Sequence, residues 1–120
     1  MNSRAKGARG EREWRDFLRS LGLEARRGQQ YSGSPDSPDV VCPGLPSVHW
    51  EVKRVESGNP YAWMAQAQAD AGLLIPAVAH KRNGREWLVV LPAVVAVLAL
   101  RAMQEKEALA LVRGAVEDKR

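Results

Sequence analysis

The sequence predicts an α/β fold, a mixed five-stranded β-sheet flanked by helices. Three observations predict this class. Short segments rich in valine, isoleucine and leucine alternate with longer segments whose apolar residues recur at helical spacing. Glycine and proline separate most of these segments, as they do at the ends of strands and helices. A chain of 120 residues has room for one domain with one modest core.

The first half of the chain predicts one helix and three strands. The helix covers residues 10–21, follows a basic N-terminal arm of residues 1–9, and ends before Gly22, a residue suited to a helix C-terminus. Its apolar side chains have the spacing of one helical face: Trp14, Phe17, Leu18 and Leu21. The predicted strands are residues 23–27, 39–42 and 48–54.

The second half predicts a helix, a β-hairpin and a long C-terminal helix. Asn59 and Pro60 are suited to the N-cap and the first turn of a helix over residues 60–71, which the following glycine closes. A hairpin is predicted because Asn83-Gly84 is a dipeptide typical of tight turns between strands. Its strands and the last helix are residues 75–81, 85–91 and 92–116.

Three ionisable side chains in the middle of the chain have the spacing of a metal-dependent phosphodiesterase site. Side chains alternate faces along a strand, so Glu51 and Lys53 share one face and Trp50 lies on the other. Asp39 precedes the apolar run of the neighbouring strand, residues 40–42, and adds a second carboxylate at the same edge. Two close carboxylates repel each other, and a bound Mg²⁺ or Mn²⁺ relieves that repulsion. By itself, this short pattern is also typical of a solvated strand face.

The wider order of motifs resembles the archaeal-type Holliday junction resolvases and their phage-encoded relatives, members of the PD-(D/E)xK nuclease superfamily. The likeness runs from about Lys6 to Leu91 and includes Gly10-Glu11-Arg12-Glu13, Pro38-Asp39 and Glu51-Val52-Lys53. The resemblance implies a restriction-endonuclease-like fold and a single nuclease domain over residues 1–120. It also implies a structure-selective DNA endonuclease that resolves four-way junctions by hydrolysis, with Mg²⁺ as cofactor and Mn²⁺ able to replace it.

The same resemblance assigns each catalytic role to a position of this chain. Asp39 and Glu51, with the backbone carbonyl of Val52, would hold the metal ion. Lys53 would orient the attacking water or stabilise the negative charge that develops on the phosphate. Glu11 would ligate the metal through a water molecule or hold a second ion.

Two of these positions have rivals. Glu13 competes with Glu11, because the two side chains flank the apolar stripe of the first helix on opposite sides. The match to the family's segment favours Glu11. Asp36 is a weaker rival to Asp39, because residues 35–38 are more typical of a turn.

The charge of the chain fits a polyanionic partner. The formal net charge is +4 and the isoelectric point is about 9.6, although arginine-rich proteomes also produce basic surfaces without nucleic-acid function. The planar guanidinium of arginine suits phosphate contacts. The basic residues predicted to contact DNA are Arg4, Lys6, Arg9, Arg26, Arg27, Arg54, Lys81 and Arg82. The resemblance adds a serine, Ser34 or its rival Ser32, and a glutamine of the second helix, Gln66 or its rival Gln68.

Cysteine and histidine usage gives no sign of a disulfide or a zinc site. Cys42, the single cysteine, lies in an apolar run and predicts a buried thiol. His49 is predicted at the edge of the site and His80 on the surface of the hairpin.

The longest apolar stretch, residues 88–100, is too short to span a bilayer and contains Pro92. We therefore expect no membrane partner and a cytoplasmic location, or the host cytoplasm if the protein is phage-encoded.

A twofold homodimer is predicted, because resolving a four-way junction requires two symmetric cuts and one chain carries one site. The apolar residues expected at its interface are Trp63, Met64, Val94, Val97, Leu98, Leu109, Val112 and Val116.

Two alternatives to a junction resolvase remain. A nicking, flap-cutting or restriction-type nuclease is the alternative that uses the same site. A non-catalytic DNA-junction binding protein is the alternative of a different class.

Overall fold

The computed structural model describes residues 3–28 and 38–119. In chain order its elements are α1 (Ser3–Ser20), β1 (Arg26–Arg27), β2 (Val40–Val41), β3 (Val48–Lys53), α2 (Pro60–Ala71), β4 (Ile75–His80), β5 (Leu88–Val90), α3 (Ala93–Ala102) and α4 (Lys106–Lys119). Over these described residues, five strands form one mixed sheet and four helices accompany it. The predicted α/β class is confirmed.

The strands lie in the sheet in chain order, β1 to β5. Only β3 and β4 are parallel, with Val48 opposite Ile75 and Lys53 opposite His80. A parallel pair needs a long crossover, and α2 makes it. As predicted, α2 begins after Asn59, whose side chain accepts a hydrogen bond from the Tyr61 amide at 2.9 Å.

The larger part of the core lies between α1 and the sheet. Trp14 of α1 is 2 % exposed, and its ring centroid lies 5.0 Å from Trp50, 4.9 Å from Trp87 and 5.3 Å from Phe17. Small residues of β4, Ala77 and Ala79, complete this layer and leave space for the indoles. Val48 and Val52 pack against the same cluster, which confirms the predicted alternation along β3. Cys42 is buried there, as predicted.

The N-terminal boundary of α1 differs from the prediction. The helix begins at Ser3 and not at Gly10, so residues 3–9 are helical instead of forming a separate arm. Gly10 is buried inside the helix, where a Cβ atom would lie 2.6 Å from the Cβ of Arg54. The glycine allows α1 to approach the end of β3 closely, and a contact so distant in sequence cannot be inferred from local propensity.

The prediction of one continuous C-terminal helix over residues 92–116 is also wrong, because the structure has two separate helices there, α3 and α4. At the end of α3, the Met103 amide donates to the Ala99 carbonyl and the Gln104 amide donates to the Arg101 carbonyl. The Leu109 amide then donates to the Glu105 carbonyl at 3.0 Å and opens α4. Neither glycine nor proline occurs at this break, so the sequence carries no local signal for it.

The strands at both edges of the sheet are shorter than predicted. β1 contains two residues instead of the predicted 23–27, because the Leu23 amide still donates to the Leu18 carbonyl of α1. β5 begins at Leu88 rather than at residue 85, because the Arg85 amide turns back to the Arg82 carbonyl. The hairpin is confirmed, with Gly84 at φ +69°, but its strands are joined by a longer segment, residues 81–87, called the β4–β5 loop below.

A pair of glycine substitutions tests the close approach of α1 to β3. Gly10→Ala should lower the free energy of unfolding by about 1 kcal/mol or more, because overpacking outweighs the gain in helix propensity. Gly7→Ala is the matched control, since no described atom lies within 4 Å of a Cβ there. It should raise stability by up to about 1 kcal/mol in urea denaturation. Equal stabilisation by both substitutions would contradict this packing of α1.

Candidate active site

Asp39 is fixed beside β3 at the point where β2 is too short to continue the ladder. Its amide donates to the Trp50 carbonyl at 2.9 Å, and its carbonyl accepts from the Gly28 amide at 2.9 Å. One carboxylate oxygen, Oδ2, accepts from the Val52 amide at 2.8 Å. The side chain of Asp39 therefore takes the place of a strand neighbour and holds its negative charge against the backbone of β3.

Glu51 is a buried carboxyl group on the opposite face of β3 from Trp50. It is 5 % exposed, and its Oε1 lies 2.9 Å from Nε2 of His49, which is also buried. Burial, the negative charge of Asp39 and a hydrogen bond with Asp39 together raise the pKa of Glu51 to about 8. Lys53 opposes this increase with its positive charge. At neutral pH, Glu51 therefore carries a proton.

Glu11 reaches the same region from α1. Its carboxylate lies 3.1 Å from Nη2 of Arg27 and accepts a hydrogen bond from Nε of the same side chain. Burial raises the pKa of Glu11, and the negative charge of Asp39 adds to the increase, while Arg27 opposes it. Asp39 thus acts electrostatically on both glutamates. The structure brings Glu11, Asp39 and Glu51 together, and these three residues are called the carboxylate cluster below.

The rival glutamate of α1, Glu13, lies in a different environment. Its carboxylate lies 3.1 Å from Arg9 and 3.0 Å from Arg54. Two ion pairs with arginines outside the carboxylate cluster distinguish Glu13 from Glu11, whose pKa responds to Asp39. Of the two glutamates, Glu11 is therefore the one that lies close enough to Asp39 for its pKa to be raised by it. The rival to Asp39, Asp36, lies outside the described residues.

Lys53 ends β3, and α2 lies beside it. Its Nζ is 3.5 Å from Oε1 of Gln66, a residue of α2 that the sequence predicts as a DNA contact. Asp70 lies one helical turn after Gln66, and its negative charge also raises the pKa of Glu51. The sequence reasoning missed Asp70 as part of the site, although its spacing from Gln66 places both on one face of α2.

Several of the residues predicted to contact DNA form ion pairs with glutamates of the same chain. The Arg54 side chain is only 12 % exposed and pairs with Glu13 and Glu56, so it does not offer a free charge to DNA. Arg9 and Arg27 pair with Glu13 and Glu11, whereas Arg26 and Arg82 are exposed and Lys81 is half-buried. Arg4 and Lys6 lie in α1, where their side chains are outside the described part, and Ser34 is in the undescribed segment 29–37.

The second histidine corrects a prediction. His80 does not lie free on the hairpin surface, since its Nε2 is 2.9 Å from the Val55 carbonyl and its ring centroid is 4.7 Å from that of Trp63. The partners come from the segment after β3 and from α2, so the sequence near His80 does not reveal them.

The donor set fits Mg²⁺ or Mn²⁺, which prefer oxygen ligands and commonly bind one or two carboxylates together with substrate phosphates. Asp39 and Glu51 are two such donors, and their mutual repulsion raises the pKa of Glu51. Within residues 3–28 and 38–119, however, no group of three or more His, Cys, Asp or Glu side chains is placed to hold a metal by itself. The third nearby carboxylate, Glu11, is paired with Arg27.

Comparisons with known proteins do not identify the chain. No protein-family model matches the sequence, and no curated protein matches it. Among the described residues, no helix has the length and apolar character needed to cross a membrane.

The raised pKa of Glu51 gives a test that needs no substrate. From the ordinary glutamate pKa of 4.5 up to about 8, the unfolded chain is ionised at this position while the folded chain keeps its proton, so stability falls as the pH rises through this range. Glu51→Gln removes this loss. In EDTA at about pH 8.5, the variant should melt about 4 °C or more above the wild type.

The difference in melting temperature between Glu51→Gln and the wild type should shrink toward about pH 5. There, folded Glu51 is protonated and less of the unfolded form is ionised. Thermal denaturation at several pH values measures it. A melting difference that does not change with pH would show that Glu51 does not titrate in this way.

Proposed function

We propose that this protein is a metal-dependent DNA endonuclease with a restriction-endonuclease-like fold, and that four-way junctions are its preferred substrate. One observation carries the proposal. A buried carboxyl group, Glu51, lies against the carboxylate of Asp39, and Lys53 follows on the same face of the strand. Buried acids with strongly raised pKa values cluster at functional sites. The resemblance to the archaeal-type resolvases assigns hydrolytic roles to the same positions.

Asp39 and Glu51, with the Val52 carbonyl, would hold Mg²⁺, and Mn²⁺ could replace it. When bound, the ion lowers the pKa of a water ligand and neutralises charge on the phosphate. Glu11 would contribute through a water molecule or at a second ion.

The other side chains position the reacting groups. Lys53 would orient the attacking water or stabilise negative charge on the phosphate oxygens as the water oxygen bonds to phosphorus and the bond to the leaving oxygen breaks. Gln66 holds the ammonium group of Lys53 from α2. His49 holds one oxygen of Glu51 and so fixes the direction of the other.

The DNA partner follows from charge and size. A chain with a net charge of +4 gains affinity from phosphate contacts, which release counterions and carry no sequence information. The five-stranded sheet and its helices leave no separate sequence-reading module among the described residues. Recognition should therefore follow the shape of the DNA.

Cleavage of a DNA panel tests this function. Labelled four-way junction, linear duplex, flap and single strand are incubated with the protein in Mg²⁺, Mn²⁺ or EDTA. We expect paired cuts in the junction with either metal, little cutting of linear duplex, and none in EDTA. Preferred cutting of a flap or of one duplex sequence would move the protein to the nicking, flap-cutting or restriction-type alternative.

A second candidate is a non-catalytic protein that binds DNA junctions. The ion pair between Glu11 and Arg27 favours it, because Arg27 already balances a carboxylate that a metal would otherwise neutralise. Tight junction binding without cleavage in either metal would select this candidate.

The exposed apolar surface supports the proposed homodimer. Helix α3 has an apolar sequence but no buried residue, and Val94, Val97 and Leu98 are 66, 61 and 55 % exposed. Other predicted interface residues, Trp63, Met64, Leu109 and Val112, are only partly buried. A second copy would remove this surface from water and place a second site beside the junction.

Light scattering at micromolar concentration should give a mass near twice the 13.2 kDa of one chain. Val97→Glu should return the protein to monomers, because a charge would be buried at the interface. Val97→Ala is the control. A monomeric wild type under conditions where junctions are resolved would contradict the dimer.

A further inference from the structure

The β4–β5 loop begins directly beside the proposed catalytic lysine. His80 is the strand partner of Lys53, and the Lys81 amide donates to the Lys53 carbonyl at 3.2 Å. Neighbouring strands lie about 4.8 Å apart, so the loop leaves the sheet one strand spacing from the backbone of Lys53.

Arg54 fastens this loop to the end of β3. Its Nη2 donates to Oδ1 of Asn83 at 2.9 Å, and its Nη1 donates to the Lys81 carbonyl at 3.4 Å. The Asn83 amide donates to a carboxylate oxygen of Glu56 at 2.9 Å. On its other side, Nε of Arg54 donates to Glu13 of α1 at 3.0 Å. The loop is therefore held at both its backbone and its side chains.

The fastened loop borders an open groove of about 390 Å³, lined by His80, Arg82, Gly84, Arg85, Glu86 and Leu88. Arg82 and Arg85 are exposed, and neither forms an ion pair with a described residue. By contrast, Arg9, Arg27 and Arg54 are all paired with glutamates. The lining includes one carboxylate, Glu86, and two guanidinium groups, so the groove has a net positive charge.

We propose that this groove is a second phosphate-binding site, which takes the DNA backbone beside the bond that is cut. The inference deepens the proposed function and rests on it for the identity of the polyanion. An unpaired guanidinium group in an open groove suits a phosphodiester, which stays partly hydrated and accepts paired hydrogen bonds. Arg54 is a positioning residue, because it holds the groove in register with Lys53.

Salt-dependent binding measures the contribution of the groove. Affinity for a labelled four-way junction is measured in Ca²⁺ from low to moderate salt. Arg82→Ala/Arg85→Ala should weaken binding about tenfold or more and reduce the slope of log K against log salt by about 1 to 2, as expected for the loss of one or two phosphate contacts. Arg101→Ala/Arg113→Ala, in exposed positions of α3 and α4, removes the same formal charge and should leave the slope unchanged.

The location is tested with junctions that carry a neutral methylphosphonate at single positions near the cut. A methylphosphonate at one position within a few nucleotides of the cut should weaken junction binding by the wild type. The same methylphosphonate should change the affinity of Arg82→Ala/Arg85→Ala little. Two results would overturn the proposed phosphate site. One is an equal loss of affinity in both proteins at every methylphosphonate position, and the other is an equal salt slope for the groove and control variants.

The role of Arg54 is tested at the exposed side of its network, because Arg54 itself is mostly buried. Asn83→Ala should weaken junction binding in the wild type but add little in Arg82→Ala/Arg85→Ala. Fully additive losses would overturn the positioning role. The salt-dependence and Asn83→Ala measurements need no cleavage, so a wild type that binds through the groove but cuts no DNA would defeat the proposed function and leave the proposed phosphate site standing.

Discussion

Asp39→Asn should reduce junction cleavage by about 10³-fold or more, equivalent to about 4 kcal/mol of transition-state stabilisation. The carboxylate of Asp39 accepts the Val52 amide and acts electrostatically on both Glu11 and Glu51. An asparagine oxygen can still accept the Val52 amide, so the fold should persist while the negative charge is lost. Single-turnover cleavage with excess protein measures the effect.

Binding is the control for Asp39→Asn. The variant should bind junctions in Ca²⁺ or EDTA about as tightly as the wild type, because phosphate contacts come from basic side chains outside the cluster. Asp39→Ala, Glu51→Ala and Lys53→Ala should also abolish cleavage. Full activity in any of these variants would contradict the assignment of the site.

Glu11→Gln and Glu13→Gln form a matched pair on one helix. Glu11→Gln should lower the cleavage rate by about 100-fold, the size of loss found when a group supporting a metal site is removed. Glu13→Gln should lower the rate much less and reduce stability, because it weakens the ion pair with the mostly buried Arg54.

The cleavage rate should therefore be lower in Glu11→Gln, and the stability in urea denaturation should be lower in Glu13→Gln. A larger loss of activity in Glu13→Gln than in Glu11→Gln would show that the acid of α1 has been assigned to the wrong glutamate.

Local chemistry explains which parts of the fold could be predicted. The start of α2 depends on Asn59 and Pro60, which act on the backbone within one turn, so its bounds were predicted as observed. The placement of Glu51 opposite Trp50 depends only on strand alternation and the apolar demand of the core. Asp39 was placed near Glu51 because β2 and β3 are neighbouring strands.

Contacts between distant segments explain what could not be predicted. Gly10 suggested a boundary between arm and helix, but its role is to let α1 approach Arg54. The basic pair Lys53-Arg54 predicts a DNA contact for Arg54, whereas its partners Glu13 and Asn83 come from α1 and the β4–β5 loop. Charge and spacing alone do not reveal that an arginine is already paired.

The neighbours of the carboxylate cluster show the same limit. Arg27 was predicted to contact DNA, and the structure pairs it with Glu11 on α1. Asp70 could have been found from helical spacing, because it lies one turn after Gln66, but its effect on Glu51 depends on how α2 packs over the sheet.

Bound Mn²⁺, measured by electron paramagnetic resonance with saturating junction DNA, tests most directly whether the carboxylate cluster is a metal site. Asp39→Asn is the reference, because DNA alone also binds Mn²⁺. The wild type and Glu13→Gln should bind at least one more Mn²⁺ per chain than Asp39→Asn does, and Mg²⁺ should displace that ion. Equal Mn²⁺ binding by the wild type and Asp39→Asn would contradict a metal site at Asp39 and Glu51.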